Sequence, residues 1–295
     1  MDAPAHQPPR DRIGDQPAQH DEEHPAASRG PGLGFRASGW IATGLRLMQA
    51  ALFGVILLAA VVMTHLFWPD GAVLHRYDAL LIFCLTVQAA LIWAGLETWE
   101  EARVILIYHL LGTAMEIFKT QVGSWHYPEL AIAALWGVPL FAGFMYAAVG
   151  SFFARAWRLF DFELTDAPRL GFMLLLAAGA YLNFMTHHVM DDQRYALIIV
   201  SIVMFAPTSL LFTYSHTPHE TASKGRLPLL IGFAGIAIAL WVAENIATWA
   251  RVWLYPHQVN GWQPVSLAKV GSWYLLMMLS FVLVAGLHRD RKPQL

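Results

Sequence analysis

The chain has 295 residues, of which 57% are hydrophobic and 14% are charged, with a formal net charge of −2 and one cysteine. This composition excludes a disulfide scaffold and a cysteine-based metal cluster, and it provides no basic excess for binding nucleic acid. The sequence also contains no phosphate-binding glycine loop and no serine nucleophile elbow. Its apolar residues instead fall in blocks about twenty residues long, which predict a membrane protein.

The first 38 residues differ in composition from the rest of the chain. Pro, Asp, Glu, His and Gln dominate residues 1–38, and few apolar side chains are present. Such a segment buries too little apolar surface to fold, so we predict a disordered cytoplasmic tail. The segment also lacks the short apolar stretch and small-residue cleavage site of a signal peptide, and the first membrane helix is therefore predicted to remain as an anchor.

Eight apolar runs follow, and uninterrupted runs of this kind exclude the alternating pattern of a membrane β-barrel. The predicted fold is therefore all-α, a polytopic membrane protein with eight transmembrane helices. The predicted helices are Thr43 to Trp68, Asp78 to Gly95, Arg103 to Phe118, Leu130 to Phe153, Leu170 to Val189, Tyr195 to Tyr214, Leu227 to Trp249 and Ser272 to Leu287.

Two segments of the chain share one motif. The run MEIFKTQVGSWHYP begins at Met115 and the run AENIATWARVWLYP begins at Ala243, and five positions are identical without a gap. The motif predicts a duplication, with one four-helix repeat at 39–160, a second at 161–290 and a cytoplasmic end at 291–295. Because four spans begin and end on the same side, the two repeats are predicted to be parallel.

The distribution of Lys and Arg predicts the orientation. Most of these residues flank the helix ends that share a side with the N-terminus, so both termini are predicted to be cytoplasmic. Polar residues collect at the opposite, outer ends of the helices, whereas the inner links carry ordinary loop charges such as Glu97 and Glu101. The candidate site is therefore predicted in the outer leaflet.

Ionisable side chains at membrane depth are functional candidates by default. The predicted catalytic residues are Glu116, Glu244, His187, Asp191 and His65. Helical spacing places three polar stripes on the third, fifth and seventh helices, and these stripes are predicted to converge on one pocket. The predicted binding residues are Arg76, Arg194, Lys119, Thr120, His126, Tyr127, Trp125, His109, Asn183, Asn245, Thr248, Trp253 and Tyr255.

Two alternatives to a catalytic role apply to these residues. In a purely structural clasp, Glu116 pairs with Arg76, Glu244 pairs with Arg194, and each Trp-x-Tyr-Pro segment anchors the protein at the interface. In a metal site, His187 and Asp191 act together with the paired Glu residues, although the sequence contains no HExxH motif and no paired ExxH motif. Without a metal, the carboxylates remain available for acid and base chemistry, and no cofactor is predicted.

The run GTAMEIFKTQVGSWHYPE, followed by WGVPLFAGFMY, resembles the YoaT-like family of bacterial integral membrane proteins, a domain of unknown function. The resemblance covers most of the chain after residue 40 and implies a bacterial inner membrane. A second, local resemblance links Glu116, Thr120, Gly123, Tyr127 and the run Gly-Val-Pro-Leu to the membrane-bound carotenoid hydratases. That resemblance implies Glu116 as a proton donor.

Three functions are compatible with these observations. The first is a cofactor-independent enzyme that hydrates or cyclises an isoprenoid or another membrane lipid, with a buried carboxylic acid as proton donor and aromatic faces that stabilise a carbocation. The second is a transporter of a small solute with parallel repeats. The third is a structural or sensory membrane protein that uses its tail to bind a partner.

Overall fold

The computed structural model describes residues 43–214 and 223–289. The tail predicted at 1–38 and the cytoplasmic end at 291–295 lie outside these residues. Within them the chain is mostly helical, as predicted. The helices are α1 (Thr43–Ala50), α2 (Leu52–Phe67), α3 (Arg76–Trp93), α4 (Trp99–Gln121), α5 (Ala142–Phe160), α6 (Leu170–Thr186), α7 (Arg194–Phe205), α8 (Leu229–Trp249) and α9 (Lys269–Arg289).

Three of the described helices are long and apolar enough to cross a membrane, namely α3, α8 and α9. Helices α1 and α2 meet at an angle of 65° and together provide a fourth candidate span if the bent pair is counted as one. Helices α6 and α7 are apolar but shorter. These helices make the chain a membrane protein by length and composition, with fewer clear spans than the eight apolar runs predicted.

Two short sheets interrupt the helices. Strands β1 (Ala134–Leu135) and β2 (Val138–Pro139) form a hairpin, and β3 (Glu163–Thr165), β4 (Ser209–Tyr214) and β5 (Ser223–Pro228) form an antiparallel sheet in the order β3-β4-β5. The prediction of a helix from Tyr195 to Tyr214 was therefore wrong in its last third. Pro207 lacks the amide hydrogen that would continue the helical hydrogen bonds, and α7 ends at Phe205, two residues before it.

The predicted helix from Leu130 to Phe153 was wrong in its first half. Trp136 and Gly137 both have positive φ, of 47° and 82°, and they form the two-residue turn between β1 and β2. Positive φ at both central residues is the geometry of the tight turns that connect antiparallel strands. The loop before α5 therefore folds back on itself, and α5 begins only at Ala142.

Helix α4 carries the first glutamate of the duplicated motif. Its start is fixed by a capping box, in which the Thr98 hydroxyl accepts from the Glu101 amide at 3.2 Å and the Glu101 carboxylate accepts from the Thr98 amide at 2.7 Å. Helices α4 and α5 lie close together because glycines face the partner helix. A Cβ on Gly112 would lie 2.5 Å from the Tyr146 ring, so only glycine leaves room for this tyrosine beside α4.

Buried charges at the other end of α4 correct a further prediction. Glu97 and Glu101 are buried, not ordinary loop charges. Glu101 forms an ion pair of 2.8 Å with Arg158, and Glu97 lies 3.6 Å from the buried Arg155. These pairs join the start of α4 to the end of α5.

The helices repeat a common set of packing contacts. The contact between α4 and α5 corresponds to the contact between α8 and α9. The contact between α2 and α5 corresponds in the same way to the contact between α6 and α9. Contacts between α2 and α8 correspond in the same way to contacts between α4 and α6. One apolar core surrounds α9 and α6, and a second surrounds α2, α3 and α5. Glu244 of α8 binds Trp273, which packs against the first core, and Glu116 of α4 binds Tyr127, which packs against the second.

Candidate functional site

Glu116 is held by three hydrogen-bond donors. Its Oε2 accepts from Trp125 Nε1 and from the Tyr127 hydroxyl, both at 2.7 Å, and its Oε1 accepts from the Tyr146 hydroxyl at 2.6 Å. We call these four residues the Glu116 cluster. The glutamate is only 3% exposed, and no Lys or Arg among the described residues forms an ion pair with it. Aromatic donors therefore replace the cation that a buried carboxyl group usually finds.

Glu244 is held in a similar way by two donors. The Tyr255 hydroxyl donates to its Oε1 at 2.5 Å, and Trp273 Nε1 donates to its Oε2 at 2.7 Å. We call these three residues the Glu244 cluster. Burial raises the pKa of Tyr255 well above its usual range, and the adjacent Glu244 carboxylate raises it further. Burial and the Glu116 carboxylate act in the same way on the pKa of Tyr127, so both hydroxyls remain protonated donors.

The two clusters touch each other. The Trp125 and Tyr255 rings lie 5.9 Å apart in an edge-to-face arrangement. His126 and Leu254 form an isolated antiparallel bridge, with their amides donating to each other's carbonyls at 3.0 Å and 2.9 Å. Lys269 Nζ lies 4.5 Å from the centre of the Tyr255 ring and 5.5 Å from that of Trp125, within cation–π distance of both.

A cavity of about 350 Å³ adjoins both clusters. We call it the polar cavity, because its wall includes the side chains Lys119, Asn183, His187, Arg194, His257 and Lys269. Trp125 and Tyr255 also line it, whereas the glutamates to which they donate, Glu116 and Glu244, are not lining residues. Of the three predicted polar stripes, the one with Asn183 and His187 lines this cavity, whereas the stripes that carry Glu116 and Glu244 are not part of its wall.

A second cavity of about 340 Å³ continues from the first. We call it the apolar cavity, since its lining is dominated by Leu, Ala, Val and Tyr side chains. The two cavities share Met115, Tyr181, Leu276 and Leu279, and together they form a cleft between α4, α6 and α9. Tyr146 lines the apolar cavity, so the Glu116 cluster contacts both parts of the cleft through its aromatic donors.

The arginines occupy other positions than the predicted clasp requires. Arg76 forms an ion pair of 3.1 Å with Glu129 and donates to the Ala250 carbonyl at 2.9 Å. Arg194 forms an ion pair of 2.6 Å with Asp192. The predicted pairs between Arg76 and Glu116 and between Arg194 and Glu244 are therefore wrong, because Arg76 binds Glu129 of the loop after α4 and Arg194 binds Asp192 of the loop before α7.

The predicted stripe on the fifth helix is interrupted. Helix α6 ends at Thr186, and His187 is its C-terminal cap residue, so Asp191 is exposed in the following loop. Asp192 takes the position beside Asn183, whose side chain donates to it at 3.0 Å. The described residues contain no group of three or more His, Cys, Asp or Glu side chains placed to hold a metal ion.

Several predicted site residues lie away from the cleft. The His65 ring packs edge-to-face on Trp249 at 5.0 Å, and the His109 ring lies 4.5 Å from that of Phe144. Thr120 donates to backbone carbonyls of its own helix. The His126 side chain is exposed.

On α8, the polar side chains fix the loop that follows the helix. Asn245 accepts from the Val265 amide at 2.9 Å, and Thr248 accepts from Trp262 Nε1 at 3.2 Å. Trp253 is half-buried and packs between the apolar cores. These residues position the segment that carries Tyr255, and they do not form the wall of the cleft.

Sequence reasoning missed Tyr146, Trp273 and the role of Lys269. A signal for the tyrosine exists, because Tyr146 and Tyr274 are 128 residues apart, the same separation as Glu116 and Glu244. For Trp273 and Lys269 the corresponding residues are Met145 and Phe141, so the duplicated motif provides no signal there.

Known proteins similar to this chain identify its family. A protein-family model described as "Protein of unknown function (DUF817)" matches residues 40–281. The chain is 40% identical over 243 residues to "Uncharacterized protein YoaT" of Bacillus subtilis (strain 168), which covers 82% of this chain and 89% of that protein. No solved structure matches it. With a family model that spans most of its length and a relative this similar, the chain belongs to the YoaT-like family of proteins of unknown function, DUF817.

Proposed function

We propose that the protein is a cofactor-independent membrane enzyme that carries out acid–base chemistry on an isoprenoid or another membrane lipid bound in the cleft between α4, α6 and α9. The observation that carries this proposal is the position of the Glu116 cluster. Its buried carboxyl group, which forms no ion pair with a cation in the described part of the chain, is hydrogen-bonded to Tyr146, and Tyr146 lines the apolar cavity.

The proposed reaction begins with a proton transfer. With Glu116 in its carboxylic acid form, the Tyr146 hydroxyl protonates one carbon of a substrate double bond and takes up a proton from Glu116, 2.6 Å away, which leaves the Glu116 carboxylate. The other carbon becomes a cation, and the faces of Trp125 and Tyr181 in the cleft wall stabilise it. Water then adds to the cation and returns a proton to the carboxylate, so the net change is the addition of one water. In a cyclisation or isomerisation, loss of a proton from a neighbouring carbon replaces the addition of water.

We further propose that the chain is a duplication with eight transmembrane helices and two parallel repeats, in the bacterial inner membrane with both termini in the cytoplasm. The repeated packing of α2, α4 and α5 by α6, α8 and α9 supports the duplication. His126 and Leu254 also support it, because they occupy equivalent positions in the motif and pair with each other in antiparallel fashion, as a twofold axis requires. Parallel repeats related by an axis along the membrane normal have this symmetry.

The test is a lipid inventory of membranes from a strain that lacks the gene. We expect a precursor to accumulate, and its product to return when wild-type protein is expressed but not when Glu116→Gln or Tyr146→Phe is expressed. Precursor and product will differ in mass by one water, or by nothing if the reaction is an isomerisation. Tyr274→Phe is the matched control, because Tyr274 occupies the equivalent position and bonds to Ser201. An unchanged inventory in the deletion strain would contradict the proposal.

A structural role is the second candidate, and the contact between the two clusters favours it. Glu116 and Glu244 each accept from the tyrosine of their own motif, and the motifs are joined by the bridge between His126 and Leu254. This arrangement fastens α4 to α8 at one end of the molecule. If the role is structural alone, Glu116→Gln will lower the midpoint of thermal unfolding while every lipid remains at its wild-type level.

A further inference from the structure

We infer that the ligand of the cleft is an amphiphile with a phosphate head group, whose head binds in the polar cavity while its chain lies in the apolar cavity. This inference rests on the proposed function only in taking the cleft as the substrate site. The affinity for such a ligand is measurable without any turnover.

The charge of the polar cavity points to an anion. Lys119, Arg194 and Lys269 line it together with His187 and His257, and no Asp or Glu of residues 43–214 or 223–289 is part of the lining. Arg194 is paired with Asp192, but neither lysine has a carboxylate within ion-pair distance among the described residues. Lysine and arginine side chains that converge on a cavity without acidic residues are typical of phosphate sites.

Lys119 provides the sharpest evidence. Its side chain is fully buried, and a buried ammonium group without a counterion is unfavourable. The ammonium group donates to the Phe184 carbonyl and lies 3.3 Å from His187 Nδ1. Since an ammonium group has three donors, one hydrogen remains for a ligand in the cavity that Lys119 lines. An anionic head group would provide both the acceptor and the missing charge.

Lys269 of α9 lines the same cavity. Its ammonium group is held over the Tyr255 and Trp125 rings and forms no hydrogen bond with other residues in the described part of the chain. It is the first residue of α9, and Arg194 is the first residue of α7. The N-terminal ends of both helices therefore add partial positive charge near the two cations.

The apolar cavity distinguishes an amphiphile from a free anion. Its lining follows α9 from Leu276 to Leu283 and α4 from Met115 back to Tyr108. From Lys269 to Leu283 the cleft extends along α9 for about 21 Å, at about 1.5 Å per residue, which is roughly two-thirds of a bilayer's hydrocarbon core. Leu111 and Leu174 in this wall are 48% and 42% exposed, so a chain is able to enter from the lipid side.

The experiment measures binding to the purified full-length chain in a neutral detergent. Farnesyl phosphate is the probe. Farnesol lacks the charge, inorganic phosphate lacks the chain, and dodecyl phosphate has a chain that is not an isoprenoid. We expect farnesyl phosphate to bind at least tenfold more tightly than farnesol or inorganic phosphate, and its affinity to fall with added salt. If dodecyl phosphate binds as tightly as farnesyl phosphate, the site takes lipid phosphates in general. If dodecyl phosphate binds more weakly, the site is selective for an isoprenoid phosphate.

Variants test the two lysines separately. Lys119→Met and Lys269→Met keep most of the apolar stem and are each expected to weaken binding of farnesyl phosphate tenfold or more, with little effect on farnesol. Arg226→Gln is the control, because Arg226 is exposed on β5 and does not line the cleft. If Lys119→Met fails to fold, Lys269→Met and the salt dependence of the wild type decide the question.

The inference is overturned if farnesol or inorganic phosphate binds as tightly as farnesyl phosphate, or if Lys269→Met leaves the affinity unchanged. Its failure is distinct from failure of the proposed function. Tight binding of farnesyl phosphate together with an unchanged lipid inventory in the deletion strain would support the proposed ligand and contradict the proposed enzymatic function.

Discussion

The Glu116 cluster and the Glu244 cluster bury the same acid in different surroundings. Glu116 accepts from three donors, one of which, Tyr146, lines the apolar cavity. Glu244 accepts from two, and the tyrosine that corresponds to Tyr146 in the proposed duplication, Tyr274, is hydrogen-bonded to Ser201 at 3.0 Å instead. The comparison indicates that the first cluster contacts both cavities, through Trp125 and Tyr146, whereas the second contacts the polar cavity through Tyr255.

Removing the carboxylates is expected to have the largest effect. Glu116→Ala leaves three buried donors without an acceptor, and each unsatisfied group costs about 1–3 kcal/mol, so we expect a loss of about 3–5 kcal/mol after partial relaxation. Glu244→Ala leaves two donors and is expected to cost about 2–4 kcal/mol. Thermal unfolding of the two purified variants in detergent checks the order. A larger loss for Glu244→Ala would invert the comparison between the clusters.

Crowding the cleft at α4 is the next test. In Gly112→Ala the new Cβ meets the Tyr146 ring at 2.5 Å, so the ring must move away from Glu116. Overpacking of this kind destabilises by about 1–3 kcal/mol. We expect the unfolding midpoint to fall and the lipid product of the proposed reaction to decrease together.

Gly235→Ala provides the matched control for this variant. Gly235 lies in α8, in the other half of the proposed duplication, and a Cβ there meets no atom within 4 Å. Because Ala favours helix more than Gly by about 1 kcal/mol, Gly235→Ala is expected to be neutral or slightly stabilising. Equal destabilisation by both substitutions would show that Tyr146 does not depend on the space beside Gly112.

The sequence predicted the helical fold and part of the cleft for an identifiable reason. Apolar runs fix the approximate positions of the helices, and the duplicated motif marks Glu116 and Glu244 with their Trp and Tyr neighbours. Helical spacing cannot reveal where a helix ends, so the stripe from Asn183 to Asp191 was extended beyond the end of α6. The hairpin at Trp136 and Gly137 lies within an apolar run that predicts a helix.

The partners of the charged residues were harder to predict. Opposite charge alone predicts that Arg76 and Arg194 pair with the glutamates of the motif, but they pair with Glu129 and Asp192. Aromatic donors from later in the chain, Tyr146 and Trp273, complete the two clusters instead. Contacts between helices that are distant in sequence depend on packing, which a single sequence does not specify.

The smallest effects on stability are expected for substitutions of Tyr146 and Tyr274, the two tyrosines at equivalent positions. Tyr146→Phe removes one of three donors to Glu116, and Tyr274→Phe removes one hydrogen bond to Ser201, so each is expected to cost about 0.5–1.5 kcal/mol. Their stabilities should therefore be similar, since the two changes delete the same atom. Their function should differ, because only Tyr146 connects Glu116 to the apolar cavity. Lipid inventories from strains that express each variant check this, and an equal loss of product from both would remove the distinction between the two clusters.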